Sequence, residues 1–424
     1  MQRRVPSLPT PAPALLAPAL LAPALLAALL AATAGAGGAA AEPTAPGTRY
    51  EVRPADLPPP YATGSASASP SVVARPADWL PLVPEGFSVT LFAAGLEHPR
   101  SLAATPDGGV FLAEPRPGLI RLLHDRDGDG VAESNEVFAE GFERPHGLAV
   151  QGEALYVADL AGVWRLPLAG GGAPERITPP GAFGAPGGHW TRNLVFHPDG
   201  SRFYVAIGSA GNIAEEPLPR ASVQVFAADG SGQQTFASGL RNPVGIAFAP
   251  GGDDLYVVVN ERDGLGDELV PDYLTALREG GFYGWPYAYI GPNPQPGFAE
   301  RDPAKVAATL VPDLLFRSHS APIGLVFYEG DSFPADYQGD AFVALRGSWN
   351  AGEPRGYMVV RVPFADGRPE GHYEAFVTGF RLDAPGGEGR AEVWGRPAGL
   401  AIAADGSLLI ADDTSGSVWR VQAE

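Results

Sequence analysis

One pattern recurs six times along this chain. The segments "HPRSLAATPDGGVFLAE", "RPHGLAVQGEALYVAD", "WTRNLVFHPDGSRFYVAIG", "RNPVGIAFAPGGDDLYVVVN", "HSAPIGLVFYEGDSFPADYQGDAFVAL" and "GRPAGLAIAADGSLLIADD" share one grammar. A polar residue or two, often with proline, precedes a small residue, Leu or Ile, and Ala or Val; a turn and a second apolar run follow. Most units continue into a third run such as "GLIRLLH", "GVWRLPL" or "SVWRVQ". Asp-Gly and Gly-Gly between apolar runs are hairpin signals, because such residues accept the positive φ of a tight turn. Units of three or four strands, starting near residues 98, 144, 190, 241, 320 and 396, bury their apolar faces only by stacking on one another. The expectation is an all-β fold, a six-bladed β-propeller spanning residues 79–424. An irregular β-sandwich accommodates six similar units poorly. The run "FSVTLFAAG" is placed to complete the last blade and close the ring, and the one fair helix candidate is "PDYLTALREGG".

Composition agrees with a turn-rich fold, with Gly 55 and Pro 45 and no collagen-like period. The formal charge of −19 argues against nucleic acid or an anionic membrane as partner. The absence of cysteine excludes disulfides and thiolate metal sites. Arg3 and Arg4 precede an uncharged Ala/Leu-rich stretch that lasts until Glu42, with small residues at Ala39 and Ala41. This reads as a signal peptide over residues 1–41, cleaved on export, which places the mature chain in the periplasm or the medium without membrane insertion. A membrane anchor is the competing reading, but Pro18 and Pro23 interrupt the stretch and no basic flank follows. Residues 42–78, rich in Pro, Ala and Ser, are expected to be a disordered lead-in.

In a propeller the first strand of each blade lines the central channel, so the residues ahead of it crowd one mouth. Across the six repeats these are Arg100; Arg144 and His146; His189, Arg192 and Asn193; Arg241 and Asn242; His319; and Arg396. An acidic protein has gathered Arg and His around its own axis, and packing does not ask for that. A bound anion would offset the repulsion, especially a planar polycarboxylate, which Arg grips bidentately.

Several motifs then carry a resemblance: "GHWTRNLVFHPDG", "GLRNPVGIAFAP", "VNERDGLGDELVPDYL", "GGFYGWPY", "FVALRGSWN" with "GYMVVRVPF", and "GRPAGLAIAADGSLLIADD". Together, over about Trp79 to Glu424, the chain resembles the soluble pyrroloquinoline quinone (PQQ)-dependent sugar dehydrogenases, nearest the sorbosone dehydrogenase-like branch. The resemblance implies a six-bladed propeller holding PQQ and calcium at the channel mouth. It implies oxidation of a sugar hydroxyl, with the hydride passing to the quinone and then to an electron acceptor that the sequence does not identify. His189 matches the family's general base, and Arg241 with Asn242 match its Arg-Asn pair on the cofactor, Arg241 also facing a developing oxyanion. The cofactor calcium is implied on the main-chain carbonyls of Arg262 and Asp263, Arg346 falls beside the cofactor lysine, and Arg396 matches a cofactor-side arginine. The chain departs from the family at Gly188, where an acidic residue precedes the base, so orientation of the imidazole falls to Thr191 or Arg192. It departs also at His319, where a small hydroxyl residue binds, and at Arg317, where an aromatic stacks on the quinone.

A second calcium site is legible without any family. "DRDGDGVAESNE" puts Asp125, Asp127, Asp129, Gly130, the Val131 carbonyl, Glu133 and Glu136 at the positions of a twelve-residue calcium loop. No helix signals flank it, so a structural ion between strands is expected, against a solvated acidic turn. Two other functions compete. A calcium-dependent propeller lactonase or hydrolase would need carboxylates converging in the channel, whereas the blade starts offer Arg, His and Asn. A non-enzymatic binding propeller would use the aromatic insertion around Phe282, Tyr283, Trp285, Tyr287 and Tyr289.

Overall fold

The computed structural model describes residues 44–170, 172–382 and 390–424, so the expected signal peptide lies outside the described residues. Six sheets succeed one another along the chain, antiparallel except for one short parallel pair at the edge of the third. Their innermost strands are Leu102–Ala104, Gly147–Gln151, Arg192–Phe196, Asn242–Phe248, Pro322–Phe327 and Pro397–Ile402, one from each repeat. Each touches the innermost strand of the next blade, and the sixth touches the first, which closes a six-bladed propeller. Blade six is built from both ends of the ring: Phe87–Ala93 pairs antiparallel with Ser417–Ala423.

Six buried apolar clusters fill the six interfaces between neighbouring blades. A blade is therefore covered on both faces, and its second strand is almost wholly buried, from end to end in Gly109–Glu114 and Ala154–Ala158. Truncating such a residue, Leu112 to alanine for instance, costs about 2–5 kcal/mol because transfer and cavity terms add. The small residue in the repeat grammar has a steric cause. A Cβ on Gly147 would lie 2.5 Å from the Arg192 carbonyl oxygen, on Gly324 2.3 Å from that of Ala398, and on Gly399 1.8 Å from that of Arg100. Innermost strands press together at the axis, and only glycine lets the backbones meet.

Two expectations fail here. The helix candidate at 271–281 contains the strand Tyr273–Ala276, third in blade four; adjacent blades bury it on both sides, and no polar helical face could survive there. The lead-in, from residue 44 on, is ordered rather than disordered. It has no core of its own and borrows the propeller's: Arg49–Tyr50 adds a fifth strand to blade five, Ser71–Val72 pairs with Glu392–Val393, and Val52 and Leu57 pack on the interface of blades three and four. Between these anchors it runs along the rim of the channel mouth. Tyr61 N–H donates to the Leu265 carbonyl and Ala68 N–H to that of Trp349.

Candidate active site

The polar residues ahead of the blades meet in one cavity of about 350 Å³. His189, Arg241, Asn242, Asp263, His319, Arg346 and Arg396 line it, with Arg100, Trp190, Thr191, Glu261, Asp272, Trp349 and Asn350. His146 and Asn193 fall instead to a second, smaller cavity deeper in the channel. Arg192 is buried under the site, its Nη1 donating to the main-chain carbonyls of His189 (2.9 Å) and Thr191 (2.7 Å).

The cations are held by one carboxylate that the sequence did not single out. Asp413, which follows the second strand of blade six, accepts from Arg100 Nη1 (2.6 Å) and from Arg346 Nε (2.6 Å) and Nη2 (3.1 Å). Its side chain is fully buried. Burial alone would raise its pKa, yet the Arg346 and Arg100 guanidinium groups hold it well below the usual carboxylate range. Arg396 donates from Nε and Nη2 to the carbonyls of Arg346 (2.9 Å) and Gly347 (2.6 Å). Arg346 Nη1, Arg396 Nη1 and Arg100 Nε are left without a protein acceptor among the described residues. Burial lowers Arg100 and Arg396 to about 10, so both remain charged at neutral pH. Spare guanidinium donors around one hole suit a polycarboxylate.

Arg241 is built differently. All five of its N–H groups have protein acceptors: the carbonyls of Asn212 (3.1 Å), Asn260 (3.2 Å) and Glu261 (2.7 Å), Asn212 Oδ1 (3.0 Å) and Asp263 Oδ2 (3.1 Å). It contributes a fixed positive charge and frames the site. Asn212, which no motif flagged, ties this frame together, also receiving Trp285 Nε1–H at its carbonyl (3.1 Å).

The implied cofactor calcium does not fit the carbonyls assigned to it. The Asp263 carbonyl already accepts from Asn212 Nδ2 (2.8 Å) and from Arg262 Nε (3.0 Å) and Nη2 (2.6 Å). A guanidinium stands against that oxygen, and Arg262 is not among the residues lining the cavity. What faces the cavity is the Asp263 side chain, held by Arg241 and by Asn350 Nδ2 (2.6 Å). The other two departures resolve as well. His319 lines the cavity, bonded to Asn350 (3.2 Å) and Gly266 (3.3 Å), while Arg317 lies outside it, paired with Glu353 (2.8 Å). The aromatic faces of the site are Trp190, with Arg144 stacked over it at 4.3 Å, and Trp349, 49% exposed at the mouth.

His189 sits at the cavity wall with its ring fixed by neither Thr191 nor Arg192. Its Nδ1 lies 3.0 Å from both the carbonyl and the hydroxyl of Ser209. Burial, then the Arg241 charge, lowers its pKa to about 4, so the imidazole is neutral at ordinary pH. Gly188 explains the missing acid. Its φ is +65° and a Cβ there would lie 2.2 Å from the Ala210 carbonyl oxygen, so no side chain can occupy the position.

Carboxylates do reach the cavity, but in engaged or protonatable form. Asp272 accepts from the main-chain N–H groups of Glu261 (2.9 Å) and Ala321 (2.8 Å), and burial pushes it up to about 6 and Glu261 to about 7. Among the described residues, the one group of three or more side chains spaced to hold a metal is Asp125, Asp127, Asp129 and Glu133. Glu136, expected as the twelfth-position ligand, is not in that group. The chain enters the strand Ser134–Glu140 where an EF-hand would start a helix, and Glu136 instead accepts from the Ser134 hydroxyl (3.2 Å). The aromatic insertion is closed: Tyr283, Trp285 and Tyr289 are buried, and Lys305 caps Tyr287 at 5.0 Å.

Known proteins resemble this chain in sequence and in fold. The TrAA12-like family matches residues 81–271 and 298–424, and the Glucose / Sorbosone dehydrogenase family matches residues 219–348. The pyrroloquinoline quinone-dependent pyranose dehydrogenase of Coprinopsis cinerea is 27% identical over 413 residues, taking in 80% of this chain but 54% of that protein. This chain thus spans about half the length of that relative. An aldose sugar dehydrogenase of Escherichia coli is 33% identical over 107 residues, 25% of this chain and 27% of that one. Of solved structures, the holo PQQ domain of the C. cinerea pyranose dehydrogenase superimposes with a TM-score of 0.69 at 21% identity, covering 84% of this chain and 100% of the other. The PQQ-bound aldose sugar dehydrogenase of Streptomyces coelicolor gives 0.55 at 19% identity, covering 81% and 100%.

Proposed function

Because this chain belongs to the TrAA12-like family, among the soluble PQQ-dependent sugar dehydrogenases, we propose that it oxidises a hydroxyl of a sugar, an aldose or a related polyol. When bound, the quinone supplies a two-electron acceptor for the hydride. Arg346 and Arg396 offer their spare Nη1–H groups to its carboxylates, a pairing that charge assistance strengthens, and Arg100 adds positive charge from the wall. Asn242, beside them in the lining, offers its amide to a quinone oxygen. Arg241 holds positive charge at the wall without reorganising, which favours negative charge developing there. His189 Nε2 takes the hydroxyl proton as a neutral imidazole, and the exposed face of Trp349 gives the sugar ring an apolar surface at the mouth.

The observation that carries this reading is a neutral imidazole in the same cavity as four arginines in an acidic protein. A lactonase needs a metal held in the channel, and no such ligand group is present there among the described residues. The proposal extends to export, which rests on residues 1–41 alone, to a calcium ion at Asp125, Asp127, Asp129 and Glu133, and to an acceptor of unknown identity. Purified apo-protein loaded with PQQ and offered a sugar panel with a redox dye tests it. Sugar-dependent dye reduction that requires PQQ is the expected result; no turnover on any sugar or polyol would overturn the proposal.

A further inference from the structure

A general base works only if its reactive nitrogen carries a lone pair, so something must hold His189 in one tautomer. We propose that Ser209 is the positioning residue that fixes His189 as the Nδ1–H tautomer, through its main-chain carbonyl and hydroxyl oxygens in place of a carboxylate. This rests on the reading of His189 as the base. The Ser209 carbonyl accepts both the His189 main-chain N–H (3.0 Å) and Nδ1–H (3.0 Å). The Ser209 hydroxyl, also 3.0 Å from Nδ1, donates its own proton to the Gly211 carbonyl (2.7 Å) and so can only accept from the ring. Nδ1 therefore faces two acceptors and must carry the hydrogen, which leaves the lone pair on Nε2.

Ser209 is itself immobile. It is fully buried, and its N–H donates to the Arg241 carbonyl (2.7 Å), so one peptide joins the base of blade three to the arginine of blade four. A carboxylate is close by but employed elsewhere. Glu216 accepts from Ala210 N–H (2.9 and 2.7 Å) and Gly211 N–H (3.0 Å), and so pins the loop that carries Ser209. The charged groups that act on His189 are Arg241, Asp263 and Arg220. Two of the three are cationic, and no anion bonds Nδ1 to stabilise an imidazolium.

Nitrogen-15 spectra of the wild-type protein at neutral pH, with the His189 signals assigned by their loss in His189→Gln, read the tautomer directly. A protonated Nδ1 with a bare Nε2 is expected; a protonated Nε2 overturns the proposal whatever the activity. Ser209→Ala keeps the carbonyl but loses one of the two acceptors, so the Nδ1–H tautomer should persist in its spectra while turnover falls by roughly threefold, on the scale of one weak neutral hydrogen bond. Ser209→Asp puts a carboxylate against Nδ1 and should move the acid limb of the pH–rate profile up by roughly a unit or more. A folded Ser209→Asp protein with an unmoved limb also overturns it. Unchanged turnover in His189→Gln would sink the base itself and with it this inference, whereas the wrong tautomer with turnover lost in that variant would sink this inference alone.

Discussion

Asp413 is the anion that Arg100 and Arg346 share, and removing its charge should be felt in the apo-protein before any chemistry is measured. In Asp413→Asn the partners Arg100 and Arg346 keep their places but lose the counter-charge. Breaking a buried ion pair by neutralising one partner costs about 3–5 kcal/mol, because the charge left behind stays desolvated. Unfolding entropy of about 2.1 cal/mol/K per residue gives a chain of this size roughly 0.8 kcal/mol per kelvin, so Tm should fall by about 4–6 °C. The difference should not depend on pH between 5 and 8. A carboxylate whose folded pKa is depressed contributes its stability above the unfolded value of about 3.9 and loses it only as pH falls through the folded value, which here lies well below the ordinary range. Added PQQ should raise Tm more in the variant than in the wild type, since its carboxylates then meet guanidinium groups without a competing anion. Scanning calorimetry with and without PQQ, at pH 5, 6.5 and 8, checks all three. A Tm within about 1 °C of wild type would refute the view that Asp413 holds the ring of cations together.

His189→Gln should lower turnover on the order of 10²–10⁴-fold with little change in KM, and His197→Gln, at the far end of the same strand, should leave turnover intact. The wild-type acid limb should lie near pH 4, where burial and Arg241 place this imidazole; a limb between 6 and 7 would show it to be an ordinary exposed histidine. Calcium should stabilise cofactor-free protein by about 2.7 kcal/mol at a hundredfold excess over Kd and so raise its melting temperature, and Asp127→Ala with Asp129→Ala should remove most of that rise. Glu133→Ala should weaken it and Glu136→Ala should not; the reverse order would restore the twelve-residue spacing. Gly188→Ala should lower Tm and turnover together, because the Ala210 carbonyl must move and takes the Ser209 loop with it; a variant indistinguishable from wild type by calorimetry and dye assay would contradict this.

The blades were legible because each carries its own turn and its own close-packed small residue, both local in sequence. So was the gathering of Arg100, Arg241 and Arg396, once the repeats were aligned on the channel; Arg346 entered only through the family resemblance. Asp413 was not, since it resembles any strand-end aspartate until ring closure brings it against Arg100 and Arg346. Ser209 escaped because it acts largely through a main-chain carbonyl, which no side-chain motif records. Arg317 and Glu136 were misplaced for one reason: spacing along the chain does not fix the direction of a side chain when a strand replaces a helix or a loop turns outward. The lead-in was misread because its composition forbids a core of its own but not a place on a surface already built.

The seam of the ring has a consequence in time. Phe87–Ala93 is among the first strands of the propeller to be synthesised and its partner Ser417–Ala423 is the last. At about 5–20 residues per second, the wait between them is roughly twenty seconds to a minute. Throughout that interval blade six lacks an inner framework, and the interfaces around Phe92 and Trp419 stay open. Asp413 of blade six and Arg100 ahead of blade one meet only across this seam. The contact that joins the two sides of the pocket is thus held in place by the last strand of the ring, and a chain cut short before Ser417 would carry every residue that lines the cavity yet lack the strand that pairs with Phe87–Ala93.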